Sequence, residues 1–296
     1  MSHTIPDIPT AIATFLASEG AGEVISADLV TGGNINQIRR IMTASGASFI
    51  LKQNASAGIR LFECEAGGLQ ILRETGMRTP DVLAVGTDFL LMEDLGSRPD
   101  QEPDWEELGR MVARQHLHTS PDPDGRFGFD YDNYLGPLPQ INTWSNDGHE
   151  FFGQHRVLRY LSEPLCEQAL TAQDRQNLER LVKRLPELIP VQPPSLLHGD
   201  LWHTNMLVDS QGIPTVIDPA VYYGWAEAEL SMTYQYGHGK VPRTFYDAYN
   251  EINPLTEGWW DRLELLTIRQ CMAVLAFFGN RYNTLDELRG VISKFS

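Results

Sequence analysis

Three oxygen-bearing side chains at a fixed spacing point to chemistry on a phosphate. Asp200 is followed five positions later by Asn205, and Asp218 comes after the short apolar run 215–217. A carboxylate such as Asp200 can accept the proton of an attacking hydroxyl. An amide oxygen and a second carboxylate are ligands that Mg²⁺ accepts beside phosphates. The pattern predicts phosphoryl transfer to a hydroxyl, with Asp200 as the base and Asn205 and Asp218 as magnesium ligands.

The residues around Asp200 have the spacing of a known catalytic loop. His198, Gly199, Asp200 and Asn205 follow the arrangement H-R-D-x-x-x-x-N, in which a later Asp binds the metal. We expect His198 to brace the loop by hydrogen bonds rather than to transfer protons. Trp202 lies inside the loop, where it could contact the substrate or serve only in packing.

A lysine that reaches the α- and β-phosphates of a nucleotide is expected at Lys52, which ends the apolar run 49–51. Such a lysine needs a carboxylate partner, and the following helix offers Glu63 and Glu65. Glu65 shares the apolar face of that helix, because leucines lie four residues before it and four and seven residues after it. We therefore predict a Lys52–Glu65 pair; the alternative is an exposed strand lysine.

The other nucleotide contacts are predicted from backbone groups. A glycine turn precedes the strand of Lys52, and N–H groups without side chains in the way can approach phosphate oxygens there. A hinge segment after the last apolar strand is expected to receive the adenine through its main chain. The predicted ATP-binding residues are thus Gly32, Gly33, Asn34, Lys52, Glu65, Met92, Glu93, Asp94 and Leu95.

Composition limits the possible partners. The formal net charge of −16 argues against nucleic acid and anionic membranes as partners. The longest apolar run, 271–278, is too short to span a bilayer, and the N-terminus does not predict a signal peptide. Three scattered cysteines have no metal-binding or disulfide pattern. These features predict a cytoplasmic protein.

The elements that must position these residues divide into two groups. The first half alternates strands with one central helix: a helix at 8–17, strands at 24–30, 35–43 and 49–52, a helix at 61–74, and strands at 82–85 and 89–92. The second half is mainly helical, with helices expected at 105–119, 150–161, 172–185, 226–236, 243–251, 259–278 and 285–294. We predict an α+β fold of two lobes, a β-rich nucleotide-binding lobe at 1–94 and a helical catalytic lobe at 95–296.

With these motifs in place, the chain resembles the fructosamine kinase (ketosamine 3-kinase) family, a relative of the aminoglycoside phosphotransferases and choline kinases. The runs 198–202 and 218–224 resemble that family's HGDLW and DPAxYYG, and the segment 127–144 matches a further stretch typical of it. Two regions depart from the family pattern. The run Ala226-Glu227-Ala228-Glu229 replaces Arg-Glu-x-Asp in a helix that should anchor the catalytic loop, and the late helix lacks the expected tyrosines and histidine.

The resemblance implies a protein-kinase-like fold and transfer of the γ-phosphoryl group of ATP, with Mg²⁺, to the C3 hydroxyl of a ketoamine. The acceptor is a sugar adduct of a small amine or of a protein lysine, and the 3-phosphate is prone to release the amine, which is a repair function. The alternatives are a kinase of another hydroxyl compound, such as an aminoglycoside or choline, and a nucleotide-binding protein without catalysis. A monomer is expected.

A sugar acceptor needs amides, carboxylates and flat aromatic surfaces. The long segment 120–148 between two helices supplies them, and a loop of that length is typical of function. The alternative is an ordered surface loop with buried aromatics. The predicted substrate-binding residues are Asp132, Asn133, Gln140, Asn142 and Trp202.

Overall fold

A five-stranded antiparallel sheet with a helix on each face forms the first lobe. The computed structural model describes residues 8–30, 36–56, 60–96, 101–122, 124–236 and 240–296. In chain order the elements are α1 (Thr10–Ser18), β1 (Val24–Leu29), β2 (Gln37–Thr43), β3 (Ser48–Gln53), α2 (Leu61–Glu74), β4 (Val82–Val85) and β5 (Phe89–Glu93). The strands run in the spatial order β1-β2-β3-β5-β4.

The two faces of this sheet carry separate apolar cores. One core includes Ile12 of α1 together with Leu51, and the other joins Phe62 of α2 to Leu90. Because successive residues of a strand face opposite sides, Leu51 faces α1 and Lys52 faces α2. Lys52 also pairs across the sheet with Leu90, so the two share the α2 side. The alternation of β3 therefore directs the lysine toward the helix that carries Glu65.

The second lobe is mainly helical. Its helices are α3 (Trp105–His116), α4 (Gly148–Phe151), α5 (Pro164–Ala169), α6 (Ala172–Lys183), α7 (Leu185–Leu188), α8 (Ala226–Tyr236), α9 (Arg243–Ile252), α10 (Trp259–Leu266), α11 (Ile268–Phe278) and α12 (Thr284–Phe295). Six short strands form three antiparallel ribbons, β6 (Asn133–Leu135) with β7 (Leu138–Gln140), β8 (Ser195–Leu197) with β11 (Tyr222–Gly224), and β9 (Met206–Val208) with β10 (Pro214–Val216).

The connections between these ribbons carry the residues predicted for catalysis and metal binding. The catalytic loop runs from β8 to β9, and the segment of Asp218 runs from β10 to β11. Since β8 pairs with β11 and β9 pairs with β10, both connections leave the same small framework and lie side by side. The β6–β7 hairpin lies within the long segment that the sequence left without secondary structure.

Several predicted helices differ in detail. The helix expected at 259–278 is two helices that meet at Thr267, where the hydroxyl donates to the Glu264 carbonyl (2.7 Å). The helix expected at 150–161 is α-helical only to Phe151, then forms a π-helical turn at Phe152–Val157 and a 3₁₀ turn at Leu158–Ser162. The helix expected at 105–119 ends at His116.

The predicted α+β, kinase-like class is confirmed by the structural relatives reported below. The boundary predicted at residue 94 stays a prediction; β5 ends at Glu93 and α3 begins at Trp105. Among the helices of the described residues, none combines the length and apolar character needed to cross a membrane.

Candidate active site

A cleft between the lobes brings the predicted catalytic residues together. Its walls come from the residue before β2, α2, the β6–β7 hairpin, the catalytic loop and the segment after β10. The lining residues are Asn36, Leu61, Cys64, Glu65, Asn133, Tyr134, Gly136, Asp200, Asp218, Pro219 and Ala220. The predicted base, one predicted metal ligand, the carboxylate partner of the lysine and part of the predicted acceptor segment therefore share one cavity.

Lys52 links the two lobes at the back of this cleft. Its Nζ donates to Glu65 Oε1 at 2.5 Å and also to the Asp218 carboxylate of the second lobe. Only 3% of Lys52 is exposed. Burial alone would lower the pKa of this ammonium, but the charges of Asp218 and Glu65 outweigh it and raise the pKa. Lys52 is therefore a fixed positive charge facing the place where phosphates are expected.

The choice of Glu65 over Glu63 on α2 agrees with the structure. The Glu65 side chain is 12% exposed and bonds to Lys52, whereas the Glu63 side chain is 50% exposed and pairs with Arg60 at the surface. Helical periodicity identified the partner because only the apolar face of α2 meets the sheet.

His198 braces the catalytic loop. Its Nε2 donates to the Ile217 carbonyl (3.0 Å), and its Nδ1 accepts from the Asp200 N–H (3.2 Å), an assignment that follows from this network. Burial lowers the pKa of the imidazole, which keeps it neutral. The ring thus joins the catalytic loop to the segment before Asp218, as the sequence predicted.

Asp200 points into the cleft and is held by Asn205. The Asn205 amide donates to the Asp200 carbonyl (2.9 Å) and to its Oδ2 (3.2 Å). Burial raises the pKa of the Asp200 carboxyl to about 7; the Arg269 charge opposes this rise, and the Asp218 charge adds to it. A carboxyl with a pKa in that range is well suited to accept a proton near neutral pH.

Asp218 adopts an unusual backbone conformation. Its φ of 59° lies in the left-handed region, which residues other than glycine rarely adopt and which is enriched at functional sites. Its side chain is 39% exposed, although it contacts Lys52. The turn thus presents one carboxylate to the lysine and to the open cleft.

The side chains at this place suit a magnesium ion that is shared with phosphates. Mg²⁺ prefers oxygen ligands and usually takes one or two carboxylates, with water and substrate phosphates completing its shell. Asp218 offers an accessible carboxylate and Asn205 an amide oxygen. The described residues contain no cluster of three or more His, Cys, Asp or Glu side chains that could hold a metal without such help.

Glu229 of α8 anchors the catalytic loop, a role that was predicted for the helix but not for a particular residue. Its Oε2 accepts from the His198 N–H (2.9 Å) and from His116 Nε2 (2.9 Å), and its Oε1 accepts from the Gly199 N–H (2.6 Å). Burial would raise the pKa of Glu229, but the hydrogen bonds from His116 and from the Gly199 N–H lower it. An acidic residue at an otherwise apolar helical position was the available signal.

Two predicted acceptor residues have internal partners. Asn133 is 3% exposed and donates to the Val221 carbonyl (2.7 Å). Gln140 is 1% exposed and donates to the Ala220 carbonyl (3.0 Å) and to Asn133 Oδ1 (2.9 Å). In the structure both amides support the segment after Asp218, and contact with a substrate stays a prediction.

Asp132 and Asn142 close the base of the hairpin. The Asn142 N–H donates to Asp132 Oδ1 (2.7 Å), and Asn142 Oδ1 accepts from Nη2 of the buried Arg156 (2.5 Å). Burial lowers the pKa of Arg156 to about 10, while its guanidinium stacks 3.9 Å from the centre of the Tyr222 ring. Substrate binding by Asp132 and Asn142 also stays a prediction.

The remaining predicted residues are Trp202, the hinge residues and the glycine segment. Trp202 is half-buried, with its ring edge-on to His203 at 5.4 Å. In the hinge, Met92 and Leu95 are buried, while the charged side chains pair with arginines: Glu93 with Arg78 (2.6 Å) and Asp94 with Arg40 (2.6 Å). The predicted phosphate turn, Gly32, Gly33 and Asn34, lies outside the described residues.

The class of protein follows from this geometry together with the solved structures. Streptococcus pneumoniae choline kinase LicA superposes with a TM-score of 0.66 at 16% identity, covering 97% of this chain and 99% of its own, which shows the fold. A Thermobifida fusca crystal structure, assigned as a fructosamine-3-kinase, superposes with a TM-score of 0.83 at 31% identity, covering 96% and 99% of the two chains. The chain is a phosphotransferase of the kinase-like fold with a hydroxyl acceptor.

The family is shown by sequence. The fructosamine kinase family model matches residues 9–294. The chloroplastic protein-ribulosamine 3-kinase of Arabidopsis thaliana is 35% identical over 285 residues, covering 92% of this chain and 84% of its own. The probable ketoamine kinase of Enterococcus faecium is 37% identical over 273 residues, covering 88% and 92%. The chain belongs to the fructosamine kinase family, as its motifs predicted.

Proposed function

We propose that this protein transfers the γ-phosphoryl group of ATP to the C3 hydroxyl of ketoamines. The observation that carries the proposal is the family match over residues 9–294, which includes the catalytic loop, the segment of Asp218 and the long acceptor segment. This substrate class is supported by the two relatives described above, one named as a ribulosamine kinase and the other as a ketoamine kinase. The product, a 3-phosphate, is prone to release the amine, so the enzyme serves to repair glycated amines.

In this proposal each residue of the cleft has one role. Asp200 accepts the proton of the C3 hydroxyl as that oxygen attacks the γ-phosphorus. Lys52, fixed by Glu65, holds the α- and β-phosphates, and the main chain of the hinge 92–95 receives the adenine. Asn205 and Asp218 would hold Mg²⁺, which would supply positive charge against the negative charge that develops on the phosphates. Gly32, Gly33 and Asn34, which lie outside the described residues, are proposed to bind the phosphates through their backbone N–H groups.

The acceptor enters on the side of the β6–β7 hairpin. Asp132 and Trp202 are proposed to meet the hydroxyls and the amine of the adduct. Asn133, Gln140 and Asn142 are proposed to shape the same site. Free adducts and adducts on protein lysines are both proposed acceptors. We further propose that the enzyme works as a monomer in the cytoplasm, where its three buried cysteines stay reduced.

A panel of acceptors tests the substrate class. ADP formation is measured with ribulosamine, erythrulosamine and fructosamine adducts, and with an aminoglycoside and choline as comparison acceptors, each with ATP and Mg²⁺. We expect kcat/KM for one ketoamine to exceed that for either comparison acceptor at least a hundredfold. The Asp200→Asn variant serves as the control for contaminating kinases. Faster turnover of the aminoglycoside or of choline would refute the proposed substrate class.

A further inference from the structure

Arg269 of α11 is a buried cation with neutral hydrogen-bond partners. It is 2% exposed, and its Nη2 donates to the Gly199 carbonyl (2.8 Å) and to Gln140 Oε1 (3.2 Å). Its Nε has no hydrogen-bond partner within the described part of the chain. Burying a guanidinium costs free energy unless hydrogen bonds or an opposite charge compensate for the lost water. The hydrogen bonds of Arg269 connect the catalytic loop at Gly199 to Gln140 of the hairpin.

Gln140 connects Arg269 to a second segment, the one that follows Asp218. While its Oε1 accepts from Arg269, its Nε2 donates to the carbonyl of Ala220 (3.0 Å), two residues beyond Asp218. Gly199, at the other end of the chain of bonds, directly precedes Asp200. Arg269 and Gln140 therefore connect the residue before the base to the segment that follows the proposed metal ligand.

The two connected segments also touch directly. The Ala220 N–H donates to the His198 carbonyl (2.8 Å), and a Cβ placed on Gly199 would lie 2.0 Å from the Ala220 oxygen. Gly199 has a φ of 86°, so both its conformation and its contact require glycine. With the backbones packed this closely, a small shift of either carbonyl moves Asp200 relative to Asp218.

We propose that Arg269 and Gln140 act as one positioning pair that sets the alignment of Asp200 with Asp218 and ties it to the acceptor hairpin. The proposal rests on the proposed function for the roles of the two aspartates. Neither member of the pair touches the reacting atoms. Because Gln140 ends β7, displacement of the hairpin is transmitted to both catalytic segments, and correct seating of the acceptor favours the aligned state.

A double-mutant cycle on kcat tests whether the two residues act as a unit. Misplacing catalytic groups by about 1 Å can reduce the rate roughly a hundredfold, so Arg269→Met and Gln140→Leu should each lower kcat roughly 10–100-fold. The double variant should be no more than about threefold slower than the slower single variant, since either change breaks the same link. The KM for ATP should stay within about twofold.

Arg156 offers a matched control, because it too is a buried arginine that donates to a backbone carbonyl, of Ile141, and to an amide oxygen, of Asn142. Among the described residues, none of its hydrogen bonds goes to the catalytic loop. The effects of Arg156→Met and Gln140→Leu on kcat should therefore couple less strongly than those of Arg269→Met and Gln140→Leu. Equal coupling of Gln140 to both arginines would mean that the substitutions loosen the hairpin in general. It would refute the proposal that Arg269 and Gln140 act as a positioning pair.

Arg269→Lys separates geometry from charge. Lysine keeps the charge but lacks the planar fork that reaches two acceptors. We expect kcat of Arg269→Lys to stay at least tenfold below wild type; recovery to within threefold would show that charge alone matters and would refute positioning. If Arg269→Met does not fold by circular dichroism, the cycle is run with Arg269→Lys, which carries the same expectations.

The choice of acceptor keeps this test independent of the substrate proposal. The cycle is measured with the best acceptor of the panel and repeated on ATP hydrolysis by water. A protein that phosphorylates no ketoamine refutes the substrate class and still reports the coupling between Arg269 and Gln140. If a ketoamine is phosphorylated and the effects of the Arg269 and Gln140 substitutions on kcat multiply, the positioning pair is refuted and the proposed substrate class still stands.

Discussion

Asp200 is the residue on which the proposed chemistry depends. Burial raises the pKa of its carboxyl, while the Asn205 amide and the nearby Arg269 charge favour the ionised form. Asp200→Asn preserves the shape of the side chain and removes the proton acceptor. We expect kcat to fall roughly 10²–10⁴-fold, the usual contribution of a general base. The Kd for ATP, measured by calorimetry, should remain within about threefold of wild type; near-normal turnover by folded variant would contradict the assignment.

Asp218 should determine the response to the metal. Asp218→Asn removes the accessible charged oxygen and also breaks the ion pair to Lys52. We expect the Mg²⁺ concentration for half-maximal activity to rise about tenfold or more, because neutral amides are weaker ligands for a hard cation. Titration of activity with Mg²⁺ at saturating ATP gives the answer. An unchanged Mg²⁺ requirement would place the metal elsewhere.

At the scale of single residues, the sequence was sufficient to predict groups of residues that lie close together along the chain. Asp200, Asn205 and Asp218 lie within one stretch of chain, and the Lys52–Glu65 pair follows from helical periodicity. Glu229 and Arg269 could not be found in that way. Their roles come from hydrogen bonds to His198 and Gly199, segments that are distant in sequence, and only the fold brings these partners together.

At the scale of elements, α8 holds the catalytic loop through one carboxylate. Glu229→Gln places an amide N–H opposite backbone donors, so we expect a loss of roughly 2–4 kcal/mol in the free energy of unfolding and a fall in kcat of tenfold or more. Glu227 is the matched control, since it is buried on the same helix but pairs with Arg262 (2.6 Å).

Glu227→Gln should also lower the melting temperature, yet kcat measured well below that temperature should stay within about threefold of wild type. Chemical denaturation and steady-state kinetics on both variants provide the comparison. If both variants lose kcat in proportion to stability, α8 supports the lobe in general and Glu229 has no special link to the loop.

The start of α6 predicts a dependence of stability on pH. Asp174 caps this helix by accepting from the Thr171 N–H (3.0 Å) and bonds to Arg289 of α12 (2.9 Å). The Arg289 hydrogen bond, with help from Thr171, lowers the pKa of Asp174 on folding. Its contribution is therefore present above the ordinary carboxyl pKa of about 4 and is lost as the pH falls toward the folded value.

Asp174→Asn should therefore be less stable than wild type by about 1–2 kcal/mol at pH 7, from the cap and the ion pair together. The difference should shrink steadily below about pH 4 as the wild-type carboxylate is protonated. Urea unfolding at pH 7, 5, 4 and 3 measures it. A difference independent of pH would show that side-chain shape, not charge, stabilises this junction.

Element boundaries were predictable where local pattern decides them. Helix α2 begins and ends where its periodicity predicted, at Leu61 and Glu74. The continuous apolar pattern of 259–278 concealed the break at Thr267, because residues on both sides are buried and keep the same spacing. The hairpin β6–β7 was missed since three-residue strands give too short a pattern to detect.

At the scale of the whole molecule, charged side chains join the lobes beside the hinge. Arg78 donates to Glu93 (2.6 Å) and to Asp209 of the second lobe (3.2 Å), while Lys52 connects Glu65 to Asp218 on the other side. The two-lobed class was predictable from the order of strands and helices, and the family match agrees with it. How closely the lobes pack was not predictable, because these pairs join residues far apart in the chain.

The position of the transferred phosphate tests the central claim most directly. Wild-type enzyme and Asp200→Asn are each incubated with a ribulosamine, ATP and Mg²⁺, and the product is analysed by ¹H–³¹P correlation NMR. We predict a single cross-peak that couples the phosphorus to the C3 proton, formed by the wild type and at least a hundredfold more slowly by the variant. A phosphate on another hydroxyl, or an equal rate in the variant, would contradict ketoamine 3-phosphorylation with Asp200 as the base.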